Sequence, residues 1–145
     1  MILGIDHAGF VVANLEISTS FYRDVIGLPV VREIERKGSP ISQVVGYRDV
    51  HLKASLLDLG DGKFLELIEY VMPIADDRPT FERAVIGGSH LAFRVQNISE
   101  TLEIMTKNGA KKLNEPSEVA PSRFACYLQD PDGNWLEFIE DTSAN

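Results

Sequence analysis

Two short stretches of the chain nearly repeat each other. Residues 5–15 are IDHAGFVVANL and residues 88–98 are GSHLAFRVQNI, so a shift of 83 positions aligns a histidine, a phenylalanine, a valine and an asparagine. An internal repeat is informative because it bears on the architecture of the whole chain. The repeat therefore predicts two copies of one structural module.

A second pair of stretches repeats with a different shift. Residues 61–69 are DGKFLELIE and residues 132–140 are DGNWLEFIE, which align with a shift of 71. The shifts differ by 83 − 71 = 12, so the first module carries twelve extra residues, which lie within about residues 32–50. Gly38 and Pro40 in this segment favour a partly helical loop. We interpret it either as a lid over a substrate or as a surface elaboration without a role.

Both modules show the same order of secondary structure. A buried strand is followed by a helix with an asparagine before it and a glycine after it, Asn14 and Gly27 in the first module and Asn97 and Gly109 in the second. Three more strands follow, and turn residues join the last two as a hairpin. The pattern predicts an α+β protein with eight strands that curl into a cup and with the helices outside.

The predicted organisation is a single domain, residues 1–145, of two modules. The first module spans residues 1–75, a connection spans residues 76–88, and the second module spans residues 89–145. The connection contains Pro79 and two glycines around a candidate short helix at residues 80–86.

Composition and charge exclude several classes of function. The chain has 14 basic and 22 acidic residues and a net charge of −8, which argues against a nucleic-acid partner. It lacks a bilayer-spanning apolar run of about 18 residues and a secretory leader, so we expect a cytoplasmic protein without a membrane partner. Cys126 is the single cysteine, which excludes a disulfide within the chain, and its apolar strand predicts a core residue rather than a nucleophile.

One histidine and one glutamate occupy equivalent positions in each module. His7 and His90 lie in first strands, and Glu66 and Glu137 lie in last strands among bulky apolar neighbours. A carboxylate in such surroundings needs a cation, a hydrogen-bond network or a metal. A single strand histidine is more often a core residue, but four such coincidences favour one divalent ion: Zn, Ni, Co, Mn or Fe.

Two further glutamates, Glu69 and Glu140, also repeat between the modules. The strand period of two places them on the face opposite Glu66 and Glu137. We expect these two side chains to be solvated.

These stretches resemble the vicinal oxygen chelate superfamily, which includes glyoxalases, bleomycin-resistance proteins and extradiol dioxygenases. The resemblance covers nearly the whole chain, and the motifs that carry it are IDHAGFVV, FLELIEY, GGSHLAFRV and YLQDPDGNWLEF. It implies two βαβββ modules that form a U-shaped, eight-stranded cup around one metal ion. The implied ligands are His7, Glu66, His90 and Glu137.

The resemblance is nearest to glyoxalase I and to methylmalonyl-CoA epimerase. Similarity to glyoxalase I implies that Arg32, in GLPVVR, contacts a substrate carboxylate. The epimerases are similar in the IDH opening and in LDLGDGKFLELIE. Extradiol dioxygenases are similar at the end of the chain, where Tyr127 precedes Glu137 in the pattern Y-x-x-D-P-x-G-x-x-x-E.

The ligand set suits removal of a proton next to a carbonyl through an enediolate, because a Lewis acid stabilises the developing negative charge. The expected function is therefore a divalent-metal-dependent lyase or isomerase with a small-molecule substrate. The glyoxalase resemblance implies that Glu137 is the catalytic base, while Glu66 preserves the charge balance at the metal.

Three alternatives remain open. The same cup is expected to suit a non-catalytic small-molecule binding protein whose walls are Phe64, Trp135 and Tyr127. An antibiotic-resistance protein and an extradiol-type ring-cleaving dioxygenase are the others. We also predict a homodimer, since the family often completes or supports its cups with a partner and exposed strand edges need cover.

Overall fold

A computed structural model describes residues 1–143 of the protein. Its contacts divide the chain into two units, Met1–Asp77 and Arg78–Asn145. This boundary falls inside the segment predicted as a connection, residues 76–88, and most of that segment belongs to the second unit. The assignment of both modules to one domain stays a prediction.

The first unit contains a four-stranded sheet. Its elements in chain order are β1 (His7–Val11), α1 (Leu15–Ser20), β2 (Val30–Lys37), α2 (Ser39–Val45), β3 (His51–Gly60) and β4 (Lys63–Met72). The strand order is β1-β4-β3-β2, in which β1 is parallel to β4 and the other pairs are antiparallel. The unit is therefore a βαβββ module with α2 inserted in the segment of extra residues.

Local sequence explains the limits of the first helix. The side chain of Asn14 accepts a hydrogen bond from the backbone N–H of Ile17 at 3.0 Å, as an N-cap does. Helix α1 then continues as a π-helical turn, Phe21–Ile26. Gly27 ends it with a φ of 91°, a left-handed conformation that favours glycine.

The second unit repeats this plan. Its elements are β5 (His90–Arg94), α3 (Ile98–Lys107), β6 (Lys111–Lys112), β7 (Ser117–Ala120), β8 (Arg123–Gln129) and β9 (Trp135–Asp141). The strand order is β5-β9-β8-β6, with β5 parallel to β9, and β7 also pairs with β8. Asn97 caps α3 as Asn14 caps α1, because its side chain accepts the N–H of Glu100 at 3.1 Å.

The α+β class with two sheets is confirmed, and the predicted count of eight strands is wrong. Residues 1–143 contain nine strands, because the sequence analysis missed β7. All four residues of β7 are exposed, so the strand lacks the alternation of apolar and polar residues that predicts strands. The cup shape, which depends on the placement of the two sheets, stays a prediction.

The candidate helix at residues 80–86 is not formed. This segment lies against the start of β9 instead, where the indole Nε1–H of Trp135 donates to the backbone carbonyl of Phe81 at 3.1 Å. The segment predicted as a helix therefore contacts β9 through Phe81 and is not helical.

One face of each sheet forms the core of its unit. Leu65 and Leu67 on β4, and Leu136 and Phe138 on β9, are at most 1% exposed and alternate with half-buried residues. Helices α1 and α3 pack on these buried faces. The side chains between the core residues therefore point to the face away from the helices. No helix within residues 1–143 is long and apolar enough to span a membrane.

Candidate metal and substrate site

The first unit brings one predicted histidine and one predicted glutamate into contact. His7 on β1 and Glu66 on β4 lie on adjacent parallel strands, and Nε2 of His7 is 3.3 Å from Oε2 of Glu66. Glu66 alternates with the core residues Leu65 and Leu67, so it lies on the face without helices. Its side chain is 21% exposed and that of His7 is 43% exposed, which leaves both accessible to a ligand.

Asp6 contacts the ring nitrogen of His7 that does not face Glu66. Its carboxylate Oδ1 lies 2.7 Å from Nδ1 of His7. The hydrogen bond to Asp6, and to a smaller degree the charge of Glu66, raises the pKa of His7 although partial burial opposes the shift. A carboxylate on Nδ1 orients an imidazole and keeps the lone pair of the neutral ring on Nε2, the atom that faces Glu66. The sequence analysis missed Asp6, although it directly precedes a candidate ligand.

The second unit repeats the contact with an added tyrosine. Nε2 of His90 on β5 lies 3.2 Å from Oε2 of Glu137 on β9, and the hydroxyl of Tyr127 lies 3.2 Å from the same nitrogen. Tyr127 and Glu137 are register partners on β8 and β9. Burial raises the pKa of Tyr127, with further contributions from the charge of Glu137 and from a hydrogen bond between them.

The spacing within each pair fits two ligands of one divalent ion. Two donor atoms that are each about 2.0–2.2 Å from the same ion lie roughly 2.8–3.6 Å apart at octahedral or tetrahedral angles. Both observed distances, 3.3 and 3.2 Å, fall in that range. Neither unit, over residues 1–143, contains a group of three or more histidine, cysteine or acidic side chains that could hold a metal. Each unit thus contains one pair of candidate ligands, and the four-ligand set stays a prediction.

The predicted aromatic walls lie beside the pairs within their own units. Trp135 is 7% exposed, and its ring packs edge-on against Tyr127 with the centroids 6.5 Å apart. Phe64 is half-buried on β4 and is the register partner of His7. Each unit therefore places an aromatic side chain near its histidine.

Arg32 lies in the same row of the first sheet as Glu66. It is the register partner of Leu56 on β3, and Leu56 is the register partner of Glu66 on β4. Directly opposite residues of antiparallel strands share a face. Arg32 is exposed there, two strands or about 10 Å from Glu66. The predicted contact between Arg32 and a substrate stays a prediction.

Two tyrosines that the sequence analysis missed extend this face of the first unit. Tyr47, which follows α2, packs edge-on against Tyr70 of β4 with the ring centroids 6.2 Å apart. Burial, with smaller contributions from Tyr47 and from the charge of Glu66, raises the pKa of Tyr70. The strand period from Glu66 indicates Tyr70, whereas no local pattern indicates Tyr47. The twelve-residue insertion thus reaches the face that carries Glu66.

The expectation that Glu69 and Glu140 are solvated needs correction. Oε2 of Glu69 accepts the backbone N–H of Leu15 at 2.7 Å, and Oε2 of Glu140 accepts that of Ile98 at 3.0 Å. Both glutamates lie on the helix side of their sheets, as the strand period predicts. They bind the first residues of α1 and α3, whose N–H groups have no partner within the helix.

A cavity of about 600 Å³ in the first unit lies away from these pairs. It opens between α1 and the sheet, and its lining includes Arg23, Lys53 and Glu69. None of the predicted site residues lines it. The cavity and the candidate metal ligands therefore occupy opposite faces of the first sheet.

Known proteins match the chain over nearly its whole length. The model of the glyoxalase/bleomycin resistance protein/dioxygenase superfamily matches residues 4–138. The protein YwbC of Bacillus subtilis is 25% identical over 137 residues, which cover 94% of this chain and 96% of YwbC. A lactoylglutathione lyase of Haemophilus influenzae is 29% identical over 140 residues, 94% of this chain and 92% of the lyase.

A solved structure shows the same fold. The crystal structure of a glyoxalase family protein from Bacillus cereus matches with a TM-score of 0.84 at 23% sequence identity. The match covers 97% of this chain and 95% of that protein.

Proposed function

Since the chain belongs to the glyoxalase/bleomycin resistance protein/dioxygenase superfamily, we propose that it is a divalent-metal-dependent lyase or isomerase. In this proposal it removes a proton next to a carbonyl group of a small molecule. The observation that carries the proposal is the repeated pair of histidine and glutamate, with nitrogen-to-oxygen distances of 3.3 and 3.2 Å.

Four side chains hold the ion in this proposal: His7, Glu66, His90 and Glu137. The two pairs come from the two modules of one chain or from modules of two copies. Two carboxylates balance the charge of a divalent ion, and the mixed nitrogen and oxygen set suits Zn, Ni, Co, Mn or Fe. When bound, such an ion stabilises the negative charge that develops on a substrate oxygen as the proton leaves.

Glu137 is the proposed base, and it accepts the substrate proton at a carboxylate oxygen. The structure offers a reason to prefer it over Glu66. Tyr127 lies opposite Glu137, with its hydroxyl 3.2 Å from the His90 nitrogen that faces Glu137, whereas Leu56 lies opposite Glu66. The tyrosine hydroxyl orients the carboxylate of Glu137 for proton transfer, and Leu56 has no group that can do so.

The remaining predicted residues bind the substrate. Phe64, Trp135 and Tyr127 contact its apolar part and exclude water, and Arg32 contacts a carboxylate. The relatives named lactoylglutathione lyase support a glutathione adduct as substrate. We therefore propose the hemithioacetal of glutathione and a 2-oxoaldehyde as the first compound to test.

The test combines metal analysis with hydrogen exchange. The purified protein is stripped of metal, reloaded with Zn, Ni, Co, Mn or Fe one at a time, and analysed for metal per chain. Each form is then given hemithioacetals or acyl-CoAs in deuterated water, where NMR follows the hydrogen next to the carbonyl, and catechols, where an oxygen electrode follows dioxygen. We expect stoichiometric metal and metal-dependent exchange or transfer of that hydrogen.

Two results would contradict the proposal. Absence of stoichiometric metal after reloading would favour a non-catalytic binding protein. Consumption of dioxygen in step with turnover of a catechol would favour the ring-cleaving dioxygenase.

A further inference from the structure

Arg83 lies over two aromatic rings beside the His90–Glu137 pair. Its Cζ atom is 4.5 Å from the ring centroid of Trp135 and 5.6 Å from that of Tyr127. Both distances are within the range of a cation–π interaction. The hydroxyl of the same tyrosine contacts His90, so a single side chain separates the guanidinium from the candidate metal ligands.

The segment that carries Arg83 is anchored to the start of β9. Phe81 accepts the indole N–H of Trp135 at 3.1 Å, and Arg78 donates to the side-chain oxygen of Asn134 at 2.5 Å. Gly133 allows this close approach, because a Cβ atom there would collide with the ring of Phe81. These contacts hold the backbone near Arg83 in place before a ligand binds, which lowers the entropic cost of binding.

The charge of Arg83 is not neutralised by a neighbouring side chain. Within residues 1–143 it forms no ion pair with an aspartate or glutamate. A cation–π contact does not use the N–H groups of a guanidinium as hydrogen-bond donors, so those of Arg83 can still bind an anion. In a chain with a net charge of −8, this is an arginine that remains able to bind an anion.

We propose that Arg83 binds a carboxylate of the substrate, in a subsite next to the His90–Glu137 pair. The substrate class is then an acid with a carboxylate that reaches Arg83 while its carbonyl group lies at the His90–Glu137 pair. This inference takes from the proposed function that a carbonyl group of the substrate is bound at the His90–Glu137 pair. The carboxylate subsite itself rests on Arg83, Trp135 and Tyr127.

Charge favours a carboxylate over a phosphate or phosphonate. The guanidinium can donate two parallel hydrogen bonds to either kind of group. One carboxylate balances the single charge of the guanidinium, whereas the second charge of a phosphate would remain unpaired beside Glu137 in a protein of net charge −8.

Trp135 provides the readout because it is the single tryptophan of the chain. The full-length protein, as purified, is titrated with glutarate while tryptophan fluorescence and the indole N–H signal in ¹⁵N NMR are recorded. Dimethyl glutarate, which lacks the charges, and propane-1,3-diphosphonate, in which a phosphonate replaces each carboxylate, are titrated in parallel at alkaline pH, where each phosphonate carries two charges. We expect a saturable change with glutarate and much weaker binding of the other two compounds.

Variants test whether Arg83 is the binding group. R83M retains the apolar stem and removes the charge, and we expect the glutarate midpoint to rise by about 10-fold to 100-fold, as for loss of a charged hydrogen bond. R83K should give an intermediate midpoint because it lacks the planar fork. R36M, at an exposed arginine of β2 that donates to the carbonyl of Glu35, should leave the midpoint unchanged.

Several outcomes would overturn the inference. They are an unchanged midpoint in R83M, equal binding of the dimethyl ester, preference for the phosphonate, and no saturation by glutarate up to about 50 mM. An unchanged indole N–H signal of free R83M shows that the Trp135–Phe81 hydrogen bond is intact. The titration requires no turnover, so failure of the proposed reaction would leave this result unaffected, and the reverse also holds.

Discussion

Glu137 lies directly opposite Tyr127 on the neighbouring antiparallel strand, and the tyrosine hydroxyl and the carboxylate each lie 3.2 Å from Nε2 of His90. The equivalent glutamate of the first unit, Glu66, lies opposite Leu56. Two carboxylates at repeated positions therefore have different surroundings. This difference distinguishes a proposed base from a proposed permanent ligand.

Substitution E137Q should separate proton transfer from metal binding. The amide oxygen still coordinates weakly but cannot accept the substrate proton, so turnover should fall by at least about 100-fold while part of the metal is retained. Solvent exchange of the substrate hydrogen and metal analysis on the same sample measure both effects. Turnover close to that of the wild type would remove Glu137 from the role of base.

Substitutions H90A and E66A should remove metal and activity together, because each removes a proposed ligand. We expect metal affinity to fall by about 10-fold or more. E103A is the matched control, since Glu103 lies on the surface of α3 and pairs with Lys107 at 2.6 Å. Full metal content in both ligand variants after dialysis would refute the four-ligand assignment.

Substitution E140A should destabilise the fold without affecting the metal pair. It removes the acceptor of the N–H of Ile98, a residue that is 3% exposed, so we expect the free energy of unfolding to fall by about 1 kcal/mol. E69A should have an effect of similar size at Leu15. Urea denaturation measures both, and the exposed control E103A should lower the free energy of unfolding by less than either variant. Equal losses in all three variants would contradict a capping role.

Cys126 should resist thiol reagents in the folded protein. It is 1% exposed, and burial raises the pKa of its thiol from the ordinary 9.0 to about 11. Reaction with a disulfide reagent at pH 8 should therefore be slow until denaturant is added, since the thiolate is the reactive form. Rapid stoichiometric reaction of the native protein would show that the site is open.

The same pKa shift predicts a dependence of stability on pH. Between about pH 9 and pH 11 the unfolded chain releases the Cys126 proton and the folded chain retains it, so the free energy of unfolding decreases as the pH rises. The decrease in the free energy of unfolding reaches about 3 kcal/mol above the folded-state pKa of about 11, and there is no decrease below pH 9. C126A should lack it, and urea titrations of both proteins across this range give the difference. Parallel curves would contradict the shift.

The homodimer stays a prediction that light scattering can test. A chain of 16.1 kDa should give about twice that mass at micromolar concentration, because a shared interface would cover the exposed edges of the sheets. A mass near that of a single chain would refute the dimer.

Repetition made much of this fold predictable from sequence. A shift of 71 positions identifies Glu66 with Glu137, and the strand period places both opposite the core residues, where the structure has them. The asparagines that precede α1 and α3 were also predicted as caps, because capping is a local interaction. Strand β7 was missed because it is held by pairing with β8, which a local pattern of hydrophobicity does not report.

The α+β class, the repeated module and the histidine and glutamate of each pair were predictable from sequence patterns, because periodicity and capping depend on residues that are close in the chain. Three features became visible in the folded protein alone: Glu69 and Glu140 cap helices, Tyr127 contacts His90, and Arg83 lies over Trp135. These contacts join residues far apart in the chain, between 37 and 54 positions for the hydrogen bonds. Their partners are chosen by strand register and by packing of the connecting segment, which local sequence patterns do not encode.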